Sequence, residues 1–411
     1  MSLVLVIGKV WPEPASSAAG SRMMEIIRVF LSHKYDVVFA SAANDSAFMA
    51  DLESIGVKKK SIQLNDVSFD SFVKELNPAI VLFDRFTSEE QFGWRVAEQC
   101  PHALRILDTE DLHCLRAARH KAFKEKRDFN EVDLVSDIAK REIASIYRCD
   151  LSLIISSVEM KILTDYFKVD ASLLYYLPFL LEKIIEENEK RWPDFSERSG
   201  FISIGNFLHE PNWDAVLYLK QEIWPLIRKK LPKAELFIYG AYPSHKVFDL
   251  HNPKEGFLIK GRAEDAKEVM SKARVCIAPL RFGAGIKGKL ADAMVCGTPN
   301  VTTDIGAEAM KESLAWSGEI KNSAAEIAEA AVELYVQEDT WKEAQQRGIT
   351  LINTLFAKEN FEEDFISAIS NLQKNLDEHR LKNFTGAMLM QHTALSSRYM
   401  ALWIEAKNKR D

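Results

Sequence analysis

The chain has 411 residues, of which 47 % are hydrophobic and 27 % are charged. This balance is typical of a globular protein and excludes a disordered, collagen-like or coiled-coil chain, and the length predicts two or three domains of about 150 residues each. The 53 basic and 60 acidic side chains give a formal net charge of −7. That charge disfavours a non-specific nucleic-acid binder, because such proteins carry a basic surplus.

The five cysteines are widely spaced and include no CxxC pair, so they favour a reducing compartment over a disulfide framework or a structural zinc site. No apolar run reaches the roughly 18 residues of a membrane span. The apolar run at 3–8 is followed directly by a Pro-containing turn, which indicates a buried strand rather than a signal peptide. We therefore expect a cytoplasmic protein without a transmembrane segment, for which peripheral membrane contact stays open.

Short apolar runs alternate with helical patterns in the first half of the chain. Helices are predicted at 21–33 and 88–99, and a long charged stretch at 113–147 also has helical spacing. Continuous apolar strands separated by helices indicate a parallel sheet with both faces covered. The predicted strands are 3–8, 36–41, 79–84, 104–107 and 151–156.

The same pattern starts afresh after a polar, strand-free segment at 182–199, which we interpret as a linker. We predict an α/β protein with two doubly wound domains, 1–181 and 200–360, that face each other across a cleft and bind ligands at the carboxyl ends of their strands. The last part, 361–411, is helical in pattern. The second domain has predicted strands at 200–205, 234–240, 256–261, 274–280 and 299–304, and helices at 213–230, 264–272 and 286–296.

The most informative feature is a Gly-rich loop directly before a predicted helix. Gly283 and Gly285 let backbone amides approach a ligand closely, since they carry no Cβ. The helix that begins near Ile286 directs its free N–H groups and its positive dipole end at the loop, and Lys287 and Lys289 add charge. The combination predicts a phosphate or diphosphate site.

The alternative for this loop is a tight turn followed by a solvated helix in which Lys289 pairs with Asp292 three residues later. The loop matches neither the Walker A motif nor the GxGxxG motif, which disfavours those two classes of nucleotide-binding protein.

Charged residues also follow two predicted strands of the first domain. Asp108 and Glu110 come just after the strand at 104–107, and we take them as the candidate catalytic acid–base pair, with metal binding as another role for the cluster. The alternative is helix capping, because acids are favoured in a first helical turn. Asp84 and Arg85 end another strand toward the same cleft, and we interpret them as a structural ion pair.

The segment from Arg281 to Met310, with GAGIKGK, AM and CGTP in that order, resembles the donor-binding signature of retaining GT-B glycosyltransferases of the group-one, or family-four, type. Residues 203–240 resemble the start of that family's C-terminal domain. The resemblance is specific over about 200–310. It implies two Rossmann-like domains, a nucleotide-sugar donor held mainly by the second, an acceptor held mainly by the first, and final helices, 361–411, that cross back to the first domain.

The resemblance also implies roles for individual residues, with departures from the family pattern. Many members carry two glutamates eight residues apart; the second aligns with Asp292, which would contact the donor ribose, and the first falls on Ala284, which has no carboxylate. Where many members place an Arg and a Lys for the diphosphate, this chain has Asn206 and about Asn212. The implied donor-binding residues are Gly205, Asn206, Arg262, Arg281, Gly283, Gly285, Ile286, Lys287 and Asp292.

Arg281, Arg262 or Lys287 would then supply the cation for the diphosphate. Arg262 stands where the family holds the nucleotide base, and its alternative role is an exposed residue at a helix start. The loop after the first strand faces the cleft in this family and approaches the acceptor or the donor phosphate. Its candidates are Ser17, Gly20, Ser21 and Arg22, against an ordinary loop with Ser21 as helix N-cap.

The first hypothesis is therefore a retaining glycosyltransferase that moves a sugar from a nucleoside diphosphate sugar to a glycan, a lipid-linked acceptor or a small molecule. The nucleotide sugar is a substrate, so no separate cofactor is expected, and side-chain cations make a metal unnecessary. The alternatives are a non-catalytic nucleotide-sugar-binding protein and a GT-B-like sugar epimerase or isomerase.

Overall fold

The computed structural model describes residues 2–391 together with Tyr399 and Trp403. Residues 392–398, 400–402 and 404–411 of the predicted C-terminal helical segment lie outside the described residues. The described chain contains two parallel sheets, one in each half of the sequence. Among these residues, no helix is both long enough and apolar enough to cross a membrane.

The first sheet has seven parallel strands in the order β3-β2-β1-β4-β5-β6-β7. Its central strands are continuous apolar runs because each face packs on a different hydrophobic cluster. In β1, Leu5 and Ile7 join one cluster, whereas Val4 and Val6 join the other. The strands are β1 Leu3–Gly8, β2 Asp36–Ser41, β3 Lys58–Ser61, β4 Ile80–Asp84, β5 Leu104–Asp108, β6 Leu151–Ile154 and β7 Leu174–Tyr176.

The second sheet has six parallel strands in the order β10-β9-β8-β11-β12-β13. It repeats the winding of the first sheet, since its first strand again lies in the middle. The strands are β8 Phe201–Ile204, β9 Leu236–Tyr239, β10 Phe257–Gly261, β11 Val275–Ala278, β12 Asn300–Thr302 and β13 Gly318–Ile320.

Each sheet has a switch point at which the chain reverses its winding direction, between β1 and β4 in the first sheet and between β8 and β11 in the second. The loops that leave the two adjacent strands run to opposite faces of the sheet at such a point, and a crevice forms between them at the carboxyl ends of the strands. The two switch points therefore fix where each domain presents its loops.

Helices connect the strands of both sheets. They are α1 Ala18–Ser32, α2 Ser68–Leu76, α3 Arg85–Gln99, α4 His113–Lys124, α5 Asp137–Arg148, α6 Ser157–Lys161, α7 Glu186–Glu189, α8 Glu210–Tyr218, α9 Trp224–Lys230, α10 His245–Phe248, α11 Ala266–Lys272, α12 Gly288–Val295, α13 Asp304–Ala307, α14 Ala324–Val336, α15 Glu338–Leu351, α16 Glu362–Lys374, α17 Leu376–Lys382 and α18 Phe384–Met390.

The C-terminal helices return to the first domain, as the resemblance implies. Phe365 and Ile369 of α16 are fully buried in the cluster that also contains Phe30 of α1. Arg380 of α17 forms an ion pair with the buried Asp150, with its Nε atom 2.7 Å from a carboxylate oxygen. These contacts attach the end of the described chain to the back of the first sheet.

Three strands are absent from the prediction, and the helical stretch at 113–147 is divided. β3 has the sequence KKKS, and charged residues on an edge strand carry no apolar pattern. β7 and β13 have only three residues each, too few to show a period. The charged stretch at 113–147 forms two helices, α4 and α5, separated by a loop with a short 3₁₀ turn.

Candidate active site

A cavity of about 590 Å³ lies between the two domains. Residues at the carboxyl ends of β1, β4 and β5 line its first wall, and residues that follow β8 and β11 line the second. Both switch points therefore open into the same space. This is the cleft that the sequence analysis expects between two doubly wound domains.

Three charged residues that follow strands line the first wall: Lys9 after β1, Arg85 after β4 and Glu110 after β5. Arg85 and Glu110 have φ angles of 67° and 63°, in the left-handed region that residues other than glycine seldom adopt. Such backbone strain costs about 1–3 kcal/mol and is concentrated at functional sites. The strain therefore marks these two residues as candidates for a functional role.

Glu110 is a buried carboxyl group on the cavity wall, with 8 % of its surface exposed. Burial, followed by the charge of Asp108, raises the pKa of Glu110 well above its ordinary value. Its Oε1 atom has no hydrogen-bond partner within the described structure. A neutral carboxyl group here can donate a hydrogen bond to a substrate oxygen or accept one from a substrate hydroxyl.

The structure places Asp108 differently from its expected partner Glu110. Asp108 is fully buried and pairs with Arg22, whose Nη2 atom lies 3.0 Å from Oδ1. Arg22 also donates to the carbonyl oxygens of Leu177 and Pro178, at 2.7 and 3.0 Å. Neither Asp108 nor Arg22 is among the residues that line the cavity. The prediction that Asp108 and Arg22 contact a ligand in the cleft is therefore wrong. The two side chains form a buried ion pair behind the cavity wall.

The loop before α1 does face the cavity. Ser17 and Ser21 both line it, and Ser21 donates to the carbonyl oxygen of Pro14 at 3.0 Å. Ser17, rather than Ser21, is the N-cap of α1, since its hydroxyl accepts from the amide of Gly20 at 3.0 Å. A Cβ on Gly20 would lie about 2.5 Å from the backbone of Glu13, so this glycine permits the loop to fold against the helix and does not itself line the cavity.

The Gly-rich loop forms the centre of the second wall. Gly283 and Gly285 have φ angles of 151° and 64°, and both line the cavity together with Ile286. Lys287 Nζ donates to the carbonyl oxygens of Ala284, at 3.1 Å, and Gly285, at 2.5 Å, so this side chain folds back and braces the loop. The loop conformation thus requires both its glycines and its lysine.

The amide of Gly285, which the sequence analysis assigns to a ligand, has a partner within the protein. The amide of Gly285 donates to the carboxylate Oε1 of Glu159, in the first domain, at 2.8 Å. Helix α12 begins at Gly288, two residues later than expected, with Lys287 as its N-cap. The amides of Gly288 and Lys289 therefore belong to the first turn, where helical N–H groups lack intrahelical acceptors. These amides, rather than that of Gly285, are therefore the candidate donors to a ligand in the cavity, which both residues line.

Lys289 and Asp292 do not form the ion pair offered as an alternative. Lys289 Nζ donates to Asn212 Oδ1 at 2.6 Å. A Cβ on Gly205 would lie 2.7 Å from both Lys289 Nζ and Asn212 Cγ, so this pair of side chains packs directly against the glycine. Burial lowers the pKa of Lys287 and that of Lys289 to about 8 each. Anions that approach these amines will raise both values.

Asp292 lines the cavity one turn into α12. Burial raises the pKa of its carboxyl group to about 6. In the part of the chain that the structure describes, it forms no ion pair. A partly buried carboxylate of this kind, facing a cavity, is able to accept hydrogen bonds from a polar ligand.

The remaining implied donor residues divide into two groups. Gly205, Asn206 and Arg262 line the cavity, and the Arg262 guanidinium lies 4.1 Å from the centre of the Phe48 ring. Arg281 does not line it. Its guanidinium forms a bidentate ion pair with Asp214, at 2.9 and 2.7 Å, and lies against two aromatic rings, so its expected role at the diphosphate is corrected to a structural one.

Several residues of the site are absent from the prediction. Lys9, Arg116 and His209 all line the cavity. Burial, followed by the charge of Arg116, lowers the pKa of His209 to about 4, so its imidazole is neutral near pH 7. Arg85 forms the expected ion pair with Asp84, at 3.2 Å, yet also reaches the cavity. Lys9 and Arg85 directly follow β1 and β4, and this position could have indicated them. Arg116, within α4, and His209, five residues past β8, carry no such signal.

The fold and the cleft define the class of protein. Two Rossmann-like domains with parallel sheets, facing each other across a cleft, form the GT-B fold. Similar solved structures cover about nine-tenths of the chain. Sucrose-phosphate synthase from Thermosynechococcus elongatus has a TM-score of 0.67 at 13 % identity, and the match covers 90 % of this chain and 99 % of that one. HepE from Anabaena in complex with UDP-glucose has a TM-score of 0.67 at 11 % identity, with coverages of 90 % and 100 %. A glycosyltransferase from Rickettsia africae has a TM-score of 0.63 at 11 % identity, with coverages of 91 % and 99 %.

The family match falls on the second domain. Residues 198–337, which include all six strands of the second sheet, match the family described as Glycosyl transferases group 1. The resemblance to GT-B glycosyltransferases of group one is thereby confirmed. A comparison with curated proteins gives no match.

Proposed function

We propose that this protein transfers a sugar from a nucleoside diphosphate sugar to an acceptor hydroxyl, with retention of configuration at the sugar and with side-chain cations in place of a metal ion. The observation that carries this proposal is the second wall of the cavity. There the first-turn amides of α12 and the amines of Lys287 and Lys289 surround a Gly-rich loop. The match of this domain to a glycosyltransferase family supports the same assignment.

In the proposed complex the donor lies along the second wall. Its diphosphate accepts hydrogen bonds from the amides of Gly288 and Lys289, which the dipole of α12 reinforces. Asp292, farther along the same helix, accepts hydrogen bonds from the ribose hydroxyls. Arg262, near the carboxyl end of β10, lies beside the nucleobase. One similar structure, HepE from Anabaena, is a complex with UDP-glucose, which supports a nucleotide sugar as the donor class.

The acceptor lies against the first wall in this proposal. The carboxyl group of Glu110 hydrogen-bonds the reacting hydroxyl, while Lys9 and Arg85 contact the rest of the polar face of the acceptor. Transfer requires the diphosphate to leave with additional negative charge on its oxygens, because it keeps the electron pair of the broken bond to the sugar. Preorganised amides and ammonium groups stabilise that charge. The closed cleft holds the acceptor hydroxyl beside the sugar, where its oxygen forms the new bond and its proton passes to an oxygen of the leaving diphosphate.

A ligand screen followed by a transfer assay tests the proposal. A nucleotide sugar present at about 100 times its Kd should stabilise the folded protein by about 2.7 kcal/mol, which a thermal-shift screen detects. The stabilising donor is then incubated with a mixture of acceptors, and NMR of the product gives the anomeric configuration. Retained configuration supports the full proposal. Donor binding without transfer to any acceptor, or epimerised donor, would instead support one of the alternative functions.

A further inference from the structure

Two side chains of the first domain hold the Gly-rich loop of the second domain from opposite ends. Arg119 of α4 donates through Nη1 to the carbonyl oxygen of Gly283 at 2.9 Å. Glu159 of α6 accepts from the amide of Gly285 at 2.8 Å. Only Ala284 separates the two anchored residues. The shape of the loop therefore depends on groups of the other domain as well as on its own Lys287.

Glu159 is the deeper of the two anchors. Its side chain is fully buried, and the same Oε1 atom accepts from the amide of Leu112, in the first domain, at 3.1 Å. One carboxylate oxygen thus joins a backbone N–H group on each side of the cleft. Its other oxygen, Oε2, has no hydrogen-bond partner in the described part of the chain. Burial, followed by the charge of Asp111, raises the pKa of Glu159 to about 8.

Other contacts at this boundary fit a closed cleft. Arg119 also forms a bidentate ion pair with Glu308 of the second domain, with both distances 2.7 Å. A Cβ built on Gly285 would lie 2.9 Å from the Cβ of Asp111, so the backbone of Gly285 lies directly against this residue of the first domain. When the domains separate, all of these contacts are lost together, and the loop loses both its anchors.

We propose that Glu159 is a positioning residue which holds the Gly-rich loop in its catalytic shape only when the cleft is closed. This inference rests on the proposed function, since the shape matters because the loop and α12 contact the donor diphosphate. Glu159 acts through the Gly285 amide and does not touch the donor. Opening of the cleft admits the donor and releases the loop. The closed arrangement, which the structure shows, returns the carboxylate to Gly285 and sets the geometry in which the diphosphate leaves.

Three variants of the full chain test this role: Glu159→Ala, Glu159→Gln and the control Glu89→Gln. Glu89 is a matched buried glutamate of the first domain, 3 % exposed, whose carboxylate contacts Ser145 and Arg148 away from the cavity. The measurements are the donor Kd, the kcat for transfer, and hydrogen exchange of the peptide that contains residues 283–287 in the ligand-free protein. Hydrogen exchange reports on the loop even if the protein transfers no sugar.

In Glu159→Ala we expect kcat to fall at least tenfold, the donor Kd to change less than threefold, and the loop amides to exchange faster. Glu159→Gln keeps an oxygen acceptor and should recover most of kcat and of the protection. Glu89→Gln should change neither. Normal kcat and normal protection of the loop in Glu159→Ala would overturn the inference. Equal losses of kcat and protection in Glu159→Ala and Glu159→Gln would also overturn it, because they would assign the effect to the negative charge of Glu159 and not to its hydrogen bond.

Donor affinity distinguishes the remaining possibility. Tighter donor binding in Glu159→Ala would mean that the carboxylate competes with a donor phosphate for the Gly285 amide, and would overturn the positioning role. A wild type that neither binds nor transfers any nucleotide sugar would refute the proposed function. In that case unchanged exchange of the loop in Glu159→Ala would still refute the anchoring of the loop, and faster exchange would support it.

Discussion

Arg22 of α1 and Asp108 of β5 form an ion pair that is sealed from solvent, with 1 % and 0 % of their side chains exposed. Arg22 makes its other contacts with the carbonyl oxygens of Leu177 and Pro178 after β7. The pair therefore connects α1, the centre of the sheet and the segment that leads out of the first domain. It supports the cavity wall from below while Glu110, two residues past Asp108, forms part of the wall itself.

This arrangement predicts opposite effects for the two acids. Asp108→Asn leaves the charge of Arg22 buried without a partner and should lower the free energy of unfolding by about 3–5 kcal/mol. Burial, rather than the charge of Asp108, is the main cause of the raised pKa of Glu110, so the kcat of the folded fraction should fall much less than in Glu110→Gln. Glu110→Gln should lower kcat at least tenfold with little change in stability. Chemical denaturation and steady-state kinetics on both variants measure this. If Asp108→Asn is as stable as the wild type but has a much lower kcat, Asp108 has a catalytic role and the structural assignment is wrong.

The sequence predicts those features that depend on neighbours along the chain. The period of the apolar residues gives ten of the thirteen strands, and the spacing of Gly283, Gly285 and Lys287 indicates the ligand-facing loop. It does not reveal which groups meet across the fold. Arg22 and Asp108 are 86 residues apart, and Glu159 and Gly285 are 126 apart. For Asp108 the sequence offers helix capping as a local role, and that role gives no sign of the distant partner Arg22.

Lys287→Ala should weaken donor binding at least tenfold. The amine braces the loop through the carbonyl oxygens of Ala284 and Gly285 and places a positive charge on the cavity wall. A charge-assisted contact of this kind contributes about 1.5–3 kcal/mol. Calorimetric titration with the donor measures the loss. Lys272→Ala removes a lysine from a solvent-exposed pair with Glu268 and serves as the control; unchanged affinity in Lys287→Ala would exclude the phosphate role.

Gly285→Val should abolish transfer because it prevents the cleft from closing. The residue has a φ angle of 64°, and its Cβ would lie 2.9 Å from the Cβ of Asp111 across the cleft. A β-branched residue at positive φ also adds strain of about 1–3 kcal/mol. Gly56→Val separates the two effects, since Gly56 has a φ angle of 84° and no atom within 4 Å of its added Cβ. Both variants should lose stability, but only Gly285→Val should lose activity in kinetic assays.

Donor binding should take up protons between about pH 8 and 9. Burial lowers the pKa values of Lys287 and Lys289 to about 8, so each amine is about half protonated at pH 8 in the free protein. The negative charge of a diphosphate raises these values, and protons bind with the donor. The sign follows from linkage: affinity is highest below pH 8 and falls as the pH rises past the free-protein pKa.

Calorimetry at pH 8 in two buffers with different heats of ionisation measures this proton uptake. Glu159, whose pKa burial raises to about 8, also takes up a proton when anionic charge arrives, so it adds to the effect with the same sign. Lys289→Ala should reduce the number of protons taken up on donor binding but not abolish the uptake, because Lys287 and Glu159 remain. Proton release, or an affinity that does not depend on pH between 7 and 9, would contradict the placement of the diphosphate at these lysines.

Asp292 offers the sharpest test of how the donor lies in the cavity. Its carboxyl group faces the cavity from α12, and Lys289, the partner that an exposed helix would give it, is instead bonded to Asn212. Asp292 is therefore not required for that ion pair, and burial disfavours its charge and raises its pKa to about 6, so its removal should destabilise the fold little. A loss of function on substitution would thus reflect a contact with the ligand.

We expect Asp292→Ala to melt within a few degrees of the wild type while its affinity for a ribose-containing donor falls by about 1.5–3 kcal/mol, the contribution of hydrogen bonds to a charged acceptor. A carboxylate accepts from both ribose hydroxyls, so the wild type should bind the ribose donor more tightly than its 2′-deoxyribose analogue, and the variant should bind the two alike. Asp292→Asn keeps the shape and should fall between them. The measurement is the ratio of the two affinities by calorimetry in all three proteins. Because the ratio cancels any general change in the cavity, a wild type that binds both donors equally well would by itself end the assignment of Asp292 to the ribose.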